Sequence, residues 1–226
     1  MAETRTAKGT ITTEGLTKAQ AQLARRTAEA RAIVPDFTIR REVGFAAVLA
    51  AHARPGLTAL VVRACGLALR EFPAVNGAYR DAALERHSRV NVGVMVDVPG
   101  ALVVPTLFDA DIKDAATLDA ELTALAARAR AGDITNPELS GATFTVSNLG
   151  MLGADAVVPV IVPPQAGVLG VGRVRDRVVA VDGTPAVRPT AELTLVCDHR
   201  AVYGAEAARF LTRIAAALES GEVLGS

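Results

Sequence analysis

From Leu57 to Phe72 the sequence LTALVVRACGLALREF is apolar on nearly every side, broken mainly by Arg63 and Arg70. A helix that is apolar all round belongs inside a core, because any face left in water would expose apolar surface. Pro73 ends it by removing a backbone donor and clashing with the preceding turn. Covering such a helix takes a large interior. The chain has 226 residues, half of them apolar, which suffices for one large domain.

The other elements announce themselves by period and by punctuation. Thr17 and Gln20 have capping-box spacing, so a helix is predicted to start at Thr17 and run to about Ala32, with Pro35 beyond it. Residues 36–43, DFTIRREV, alternate as a strand does. Val90–Val98 and Ala101–Leu107 are β-branched runs separated by Pro99 and Gly100, the pattern of a hairpin. Asp114 is placed to cap a helix carrying Leu118, Leu122 and Leu125 on one stripe, with Gly132 after its end. Strands are predicted at Thr143–Val146, Val168–Val174, Val178–Val181 and Ala191–Cys197, with a turn at Asp182 and Gly183. Ala207, Phe210, Leu211, Ile214 and Leu218 then fall at helical spacing, with Gly221 beyond. Residues 1–15 are polar and Thr-rich and read as an extended or loose arm, leaving residues 16–226 as a single mixed α/β domain.

Charge excludes some partners. Twenty-four basic residues balance 24 acidic ones without a dense basic block, which argues against a nucleic-acid or anionic-membrane surface. No window approaches the length of a membrane-spanning helix, and the N-terminus lacks the apolar core of a signal peptide. Cys65 and Cys197 both lie in apolar runs, so buried thiols in a reducing, cytoplasmic compartment are expected rather than a disulfide. Two cysteines and three scattered histidines offer no metal-ligand spacing.

Two stretches could carry chemistry. In VCDHRAVYG, residues 196–204, His199 follows an alternating strand and precedes a helix, a place where loops are held firmly yet remain reachable. An imidazole titrates near neutrality and suits proton removal from a thiol or hydroxyl. The plainer reading is a hydrogen-bonded histidine between Asp198 and Arg200. His52 and His87 lie in polar, exposed-looking segments and suggest no catalytic role. In FTVSNLG, residues 144–150, a strand ending at Ser147 could present a hydroxyl to an oxyanion. The plainer reading there is a turn made by Asn148 and Gly150. Gly170 and Gly172 lack the glycine fingerprint of a nucleotide loop.

Taken together, several stretches resemble one family, the catalytic domain of the dihydrolipoamide acyltransferases of 2-oxo-acid dehydrogenase complexes. They are Leu23–Arg26 with Val34–Phe37, Ala68–Asn76, Asn91–Val96 with Ala101–Thr106, Phe144–Met151, Pro163–Ala166 and Asp198–Arg200, in that order. The resemblance implies a fold like chloramphenicol acetyltransferase: a two-layer mixed sheet with helices on one side, built into a trimer that can assemble further into cubic or dodecahedral cages. It implies active sites in channels between subunits, with coenzyme A entering from one end and a dihydrolipoyl arm from the other. His199 matches the general base and Ser147 the hydroxyl that stabilises the tetrahedral intermediate, each from a different subunit. Arg200, Tyr203 and Asn148 match positions that support the catalytic loops. The implied substrates are an acyl-CoA and a lipoyl group on a lipoyl domain supplied by another chain, with no metal.

The sequence departs from that family in two places. Tyr203 stands where the family pattern has Asp or Asn before the glycine; in the wider superfamily that carboxylate partners an arginine and holds the histidine loop. Tyrosine could bond a backbone carbonyl instead, or narrow the channel. No lipoyl or peripheral subunit-binding domain is visible either, and neither Lys8 nor Lys18 sits in a lipoyl hairpin. Two alternatives to dihydrolipoyl transfer follow: CoA-dependent acylation of a different small acceptor, or a catalytically weak scaffold core.

Overall fold

A computed structural model describes residues 2–51 and 55–225. His52 lies outside the described residues. The chain opens with a hairpin, β1 (Ala2–Thr6) and β2 (Gly9–Thr13), whose side chains are all exposed. Residues 2–6 and 9–13 of the arm are therefore extended and paired as a two-stranded ribbon. Helix α1 (Lys18–Ile33) follows with the full capping box: Thr17 Oγ1 accepts from Gln20 N–H at 3.2 Å, and Gln20 Oε1 accepts from Thr17 N–H at 2.9 Å.

Next come β3 (Asp36–Gly44), the short α2 (Ala46–Ala50) and α3 (Leu57–Glu71). Most of α3 is buried, as its all-round apolar sequence requires. Two hairpins follow, β4 (Gly77–Arg80) with β5 (Ala83–Arg86), and β7 (Val96–Val98) with β8 (Ala101–Val103). The second turns at Gly100, whose φ of 71° is left-handed and suits a residue without Cβ. It is an outgrowth of a wider antiparallel pair, β6 (Val92–Val94) with β9 (Thr106–Leu107), so the hairpin expected around Pro99 and Gly100 forms in two steps.

The remaining elements are α4 (Ala115–Ala131), α5 (Asn136–Ser140), β10 (Phe144–Asn148), β11 (Gly167–Val171), β12 (Arg175–Val181), β13 (Thr184–Asp198) and α6 (Gly204–Ser220). Asp114 caps α4 through Thr117 N–H at 2.7 Å, and Gly132 closes it at φ 78°. Proline at the first turn and a Thr135–Glu138 capping box start α5.

Seven strands make one mixed sheet: β6, β10 and β11 run parallel, while β9, β12, β13 and β3 pair antiparallel. The 15-residue β13 is its spine. One edge of β13 meets β3; the other meets β11 and then β12. Between Val171, opposite Leu193, and Arg175, opposite Thr190, one extra residue is accommodated as a bulge. Helices α3, α4 and α6 cover one face, packing Leu60, Leu118, Phe210 and Ile214 on Val92, Phe144, Leu169 and Leu195. Helix α1 does not join this layer. It ends beside Val34, which packs with Ile161, Val168 and Val196 on the opposite face.

Candidate active site

Strand β10 alternates across the sheet, as every strand must. Phe144 and Val146 face the helical core, so Thr145 and Ser147 face the other way. Ser147 is buried, and its hydroxyl takes no hydrogen bond among the described residues. Asn148 turns back to the helical face, where its Nδ2 donates to Thr58 Oγ1 of α3 at 2.9 Å and its Oδ1 accepts from Gly150 N–H at 3.0 Å. The turn at Asn148 and Gly150 is thus real, and it is also what presents Ser147 at the strand's end. Gly170 lies directly opposite Ser147 on β11, mid-strand rather than in a phosphate loop. A Cβ there would come within 2.4 Å of the Val157 carbonyl, so glycine lets the 155–162 segment cross close over this face.

His199 sits one residue past the end of β13. Its N–H donates to the Pro35 carbonyl at 3.0 Å, and the Asp198 N–H donates to the Ala166 carbonyl at 2.9 Å. Ala201 and Val202 N–H both return to the Asp198 carbonyl at 3.0 Å, closing a turn before α6. The Asp198 carboxylate, 3% exposed, takes Arg200 Nε at 2.9 Å and Nη2 at 2.7 Å as a bidentate pair, and also the Arg200 N–H. The Arg200 guanidinium lies over the Tyr79 ring, 4.3 Å from its centroid. That carboxylate holds the guanidinium above its ordinary, already high pKa.

The arginine of this loop therefore finds its carboxylate two residues upstream. Tyr203 does not tether the loop through a carbonyl: its hydroxyl has no hydrogen bond among the described residues, and its side chain is exposed. Its ring lies edge-on to the His199 imidazole at 5.9 Å, and Phe37 of β3 lies 4.6 Å from the same imidazole. Tyr79 and Thr58 carried no signal in the sequence, and Phe37 carried one only as the end of the Val34–Phe37 motif, not as a neighbour of His199. Asp198 carried one, since a carboxylate two residues before an arginine is a readable pair. His87 is half-buried, with its backbone bonded to Asn76.

Register fixes the separation of the two candidates. Ser147 is opposite Gly170, and Gly170 is opposite Thr194. His199 lies five residues further along β13, about 17 Å at strand rise, and two strand spacings across, about 10 Å. One chain places them at opposite ends of its sheet. Among the described residues no group of three His, Cys, Asp or Glu side chains is placed to hold a metal ion.

Residues 8–225 match the family described as 2-oxoacid dehydrogenases acyltransferase (catalytic domain). The dihydrolipoyllysine-residue succinyltransferase component of the 2-oxoglutarate dehydrogenase complex from Bartonella vinsonii subsp. berkhoffii is 34% identical over 221 residues, covering 92% of this chain and 54% of that protein. The chain spans about half the length of the curated relatives it matches. A solved structure of Azotobacter vinelandii dihydrolipoamide acetyltransferase superposes with a TM-score of 0.91 at 29% identity, covering 96% of each chain. In that enzyme one serine, one histidine and one asparagine are implicated in the catalytic mechanism. The serine and histidine stand 52 positions apart and the asparagine four further on; Ser147, His199 and Tyr203 have the same separations. The cubic core of the pyruvate dehydrogenase multienzyme complex matches equally, with a TM-score of 0.91, 30% identity and 96% coverage of each chain. Chloramphenicol acetyltransferase, 14% identical, has the same fold at a TM-score of 0.52 over 87% of this chain and 92% of that one.

Proposed function

Because the chain belongs to the 2-oxoacid dehydrogenase acyltransferase (catalytic domain) family, we propose that it transfers an acyl group between coenzyme A and a dihydrolipoyl thiol. His199 is the general base. It takes the proton from the attacking thiol, whose thiolate is the nucleophile, and returns it to the departing sulfur. Ser147 donates its uncommitted hydroxyl to the oxyanion that develops on the acyl carbonyl. No acyl-enzyme is required when both thiols lie in one channel, and positioning supplies much of the acceleration.

The observation that carries this reading is the placement of Ser147 and His199 at opposite ends of one sheet. No hydrogen bond spans such a distance, so a site using both must draw them from two copies of the chain. A cyclic trimer meets that need with three equivalent interfaces and three sites. Assembly of such trimers into a cage belongs to the same proposal, as does a lipoyl group arriving from outside this domain. The Tyr203 ring beside His199 favours a second reading, transfer from acyl-CoA to a different small acceptor.

The test is thioester exchange. Acetyl-CoA and succinyl-CoA are each incubated with the protein, with and without dihydrolipoamide, beside the His199→Ala variant. Exchange that needs both dihydrolipoamide and His199 supports the first reading. Transfer only to a hydroxyl or amine acceptor supports the second. A well-formed assembly inactive with every acceptor sinks both and leaves a scaffold.

A further inference from the structure

The backbone around His199 is fixed by hydrogen bonds on both sides: His199 N–H to Pro35, and Ala201 and Val202 N–H to Asp198. What remains free are the two side-chain torsions that aim the ring, the second of them broad and roughly two-fold. Catalytic histidines are usually oriented by a hydrogen bond from a third group. Here no side chain or backbone group among the described residues bonds either ring nitrogen. Two aromatic rings from separate elements touch the imidazole instead. Phe37 of β3 lies at 4.6 Å with the planes tilted by 46°, and Tyr203 at 5.9 Å and 64°. Both fall in the range where aromatic pairs attract.

Tyr203 occupies this place at a cost to local structure. It is the N-cap of α6 and makes no side-chain capping bond. Ser, Thr, Asp and Asn are the residues that satisfy a helix's first N–H groups, and tyrosine leaves them without that partner. A broken local rule beside a reactive side chain is expected where another role compensates for the lost stability. The tyrosine hydroxyl is uncommitted among the described residues, so the ring is the part of the side chain in use.

We propose that Phe37 and Tyr203 are positioning residues that hold the His199 imidazole by aromatic packing, in place of a hydrogen bond from an orienting side chain. This rests on the acyl-transfer reading above, since the aim of the ring matters only if His199 moves a proton. Packing fixes the ring while leaving both nitrogens open, one for the incoming thiol proton and one for water or a partner subunit.

The experiment sets stability against catalysis in the assembled protein, using acetyl-CoA or succinyl-CoA with dihydrolipoamide. Tyr203→Ser supplies a good N-cap and removes the ring, so its melting temperature rises while kcat falls by about tenfold or more, with KM within about twofold. Tyr203→Phe keeps the ring and retains kcat to within about threefold, and Phe37→Leu, which keeps apolar volume, loses kcat as Tyr203→Ser does. Unchanged kcat in Tyr203→Ser overturns the proposal while leaving the acyl-transfer reading intact. So does a parallel fall in melting temperature and kcat, which marks a merely structural residue. A loss in Tyr203→Phe assigns the effect to the hydroxyl, and a change confined to KM assigns it to substrate contact; either overturns the packing role. Absence of His199-dependent exchange in the unmutated protein removes the reading beneath the proposal, and the proposal with it.

Discussion

Arg200 grips the Asp198 carboxylate with two parallel hydrogen bonds, Nε to Oδ1 at 2.9 Å and Nη2 to Oδ2 at 2.7 Å, and the pair brackets His199. The carboxylate is nearly inaccessible, whereas the guanidinium is 29% exposed and rests on Tyr79. Asp198→Ala therefore leaves a partly hydrated arginine without its partner, and the expected loss is about 1–3 kcal/mol. Chemical denaturation measures it. Exchange activity is expected to fall further than stability explains, because the turn carrying His199 loses the acceptor of the Arg200 N–H as well.

Separated candidates predict complementation between subunits. Ser147→Ala lowers kcat by about 100-fold or more by removing an oxyanion donor. It leaves the melting temperature near that of the parent, because the hydroxyl makes no hydrogen bond within the described residues. His199→Ala is inactive as well. Unfolding the two variants together and refolding them at equal ratio recovers about a quarter of parental activity, since a random trimer pairs an intact serine with an intact histidine at one interface in about four. No recovery in mixed trimers verified by mass would place both residues in sites built from a single chain.

Gly170 is a test of the outer face. Gly170→Ala drives a Cβ to within 2.4 Å of the Val157 carbonyl and 3.0 Å of Pro159, both on a segment that has to move. Overpacking of this kind costs about 1–3 kcal/mol. Because Gly170 is opposite Ser147, activity and thermal stability should drop together.

Burial alone pushes the Cys65 thiol far up, and burial with the nearby charges of Asp198 and Glu206 pushes Cys197 up to about 12. Neither is a thiolate near pH 8, so a disulfide reagent such as Ellman's should report no thiol in the folded protein and two after guanidinium denaturation. The linkage sign follows. Unfolded thiols ionise near about 8.5 while the folded ones keep their protons well above that, so stability declines as pH rises above about 8.5. Denaturation midpoints at pH 7.5 and 10 measure the difference, and a Cys65→Ala, Cys197→Ala protein should show less of it.

Much of the fold was legible where the signal is local. Thr17, Asp114, Pro73, Gly132 and Gly221 each stop or start a helix through chemistry confined to one turn. Thr135 and Glu138 spell a capping box just as clearly, yet α5 was not expected, since no apolar run follows it. The β4–β5 hairpin went unread because its turn uses Asp81 and Ala82 at φ of 50° and 60°, where Asn-Gly or Asp-Gly would have announced it. The first half of β13 contains Pro185 and Pro189, and proline argues against a strand when only the sequence is read. Pro185 pairs only with β12, an edge position that tolerates the missing donor, and the Pro189 carbonyl still accepts from Phe45.

The sequence by itself determined which residues are candidates: a serine at a strand's end, a histidine in a strand-to-helix turn, and the order of motifs that marks the family. It also settled that α3 is internal, because no surface accommodates sixteen positions with almost no polar side. Tertiary structure alone decided how far apart Ser147 and His199 lie and which rings touch the imidazole. The reason is that strand register and cross-sheet neighbours are set by pairings distant in sequence, through hydrogen bonds that any backbone can make. Phe37 meets His199 only because β3 lies along β13 with Phe37 opposite Cys197, and nothing near either residue encodes that alignment.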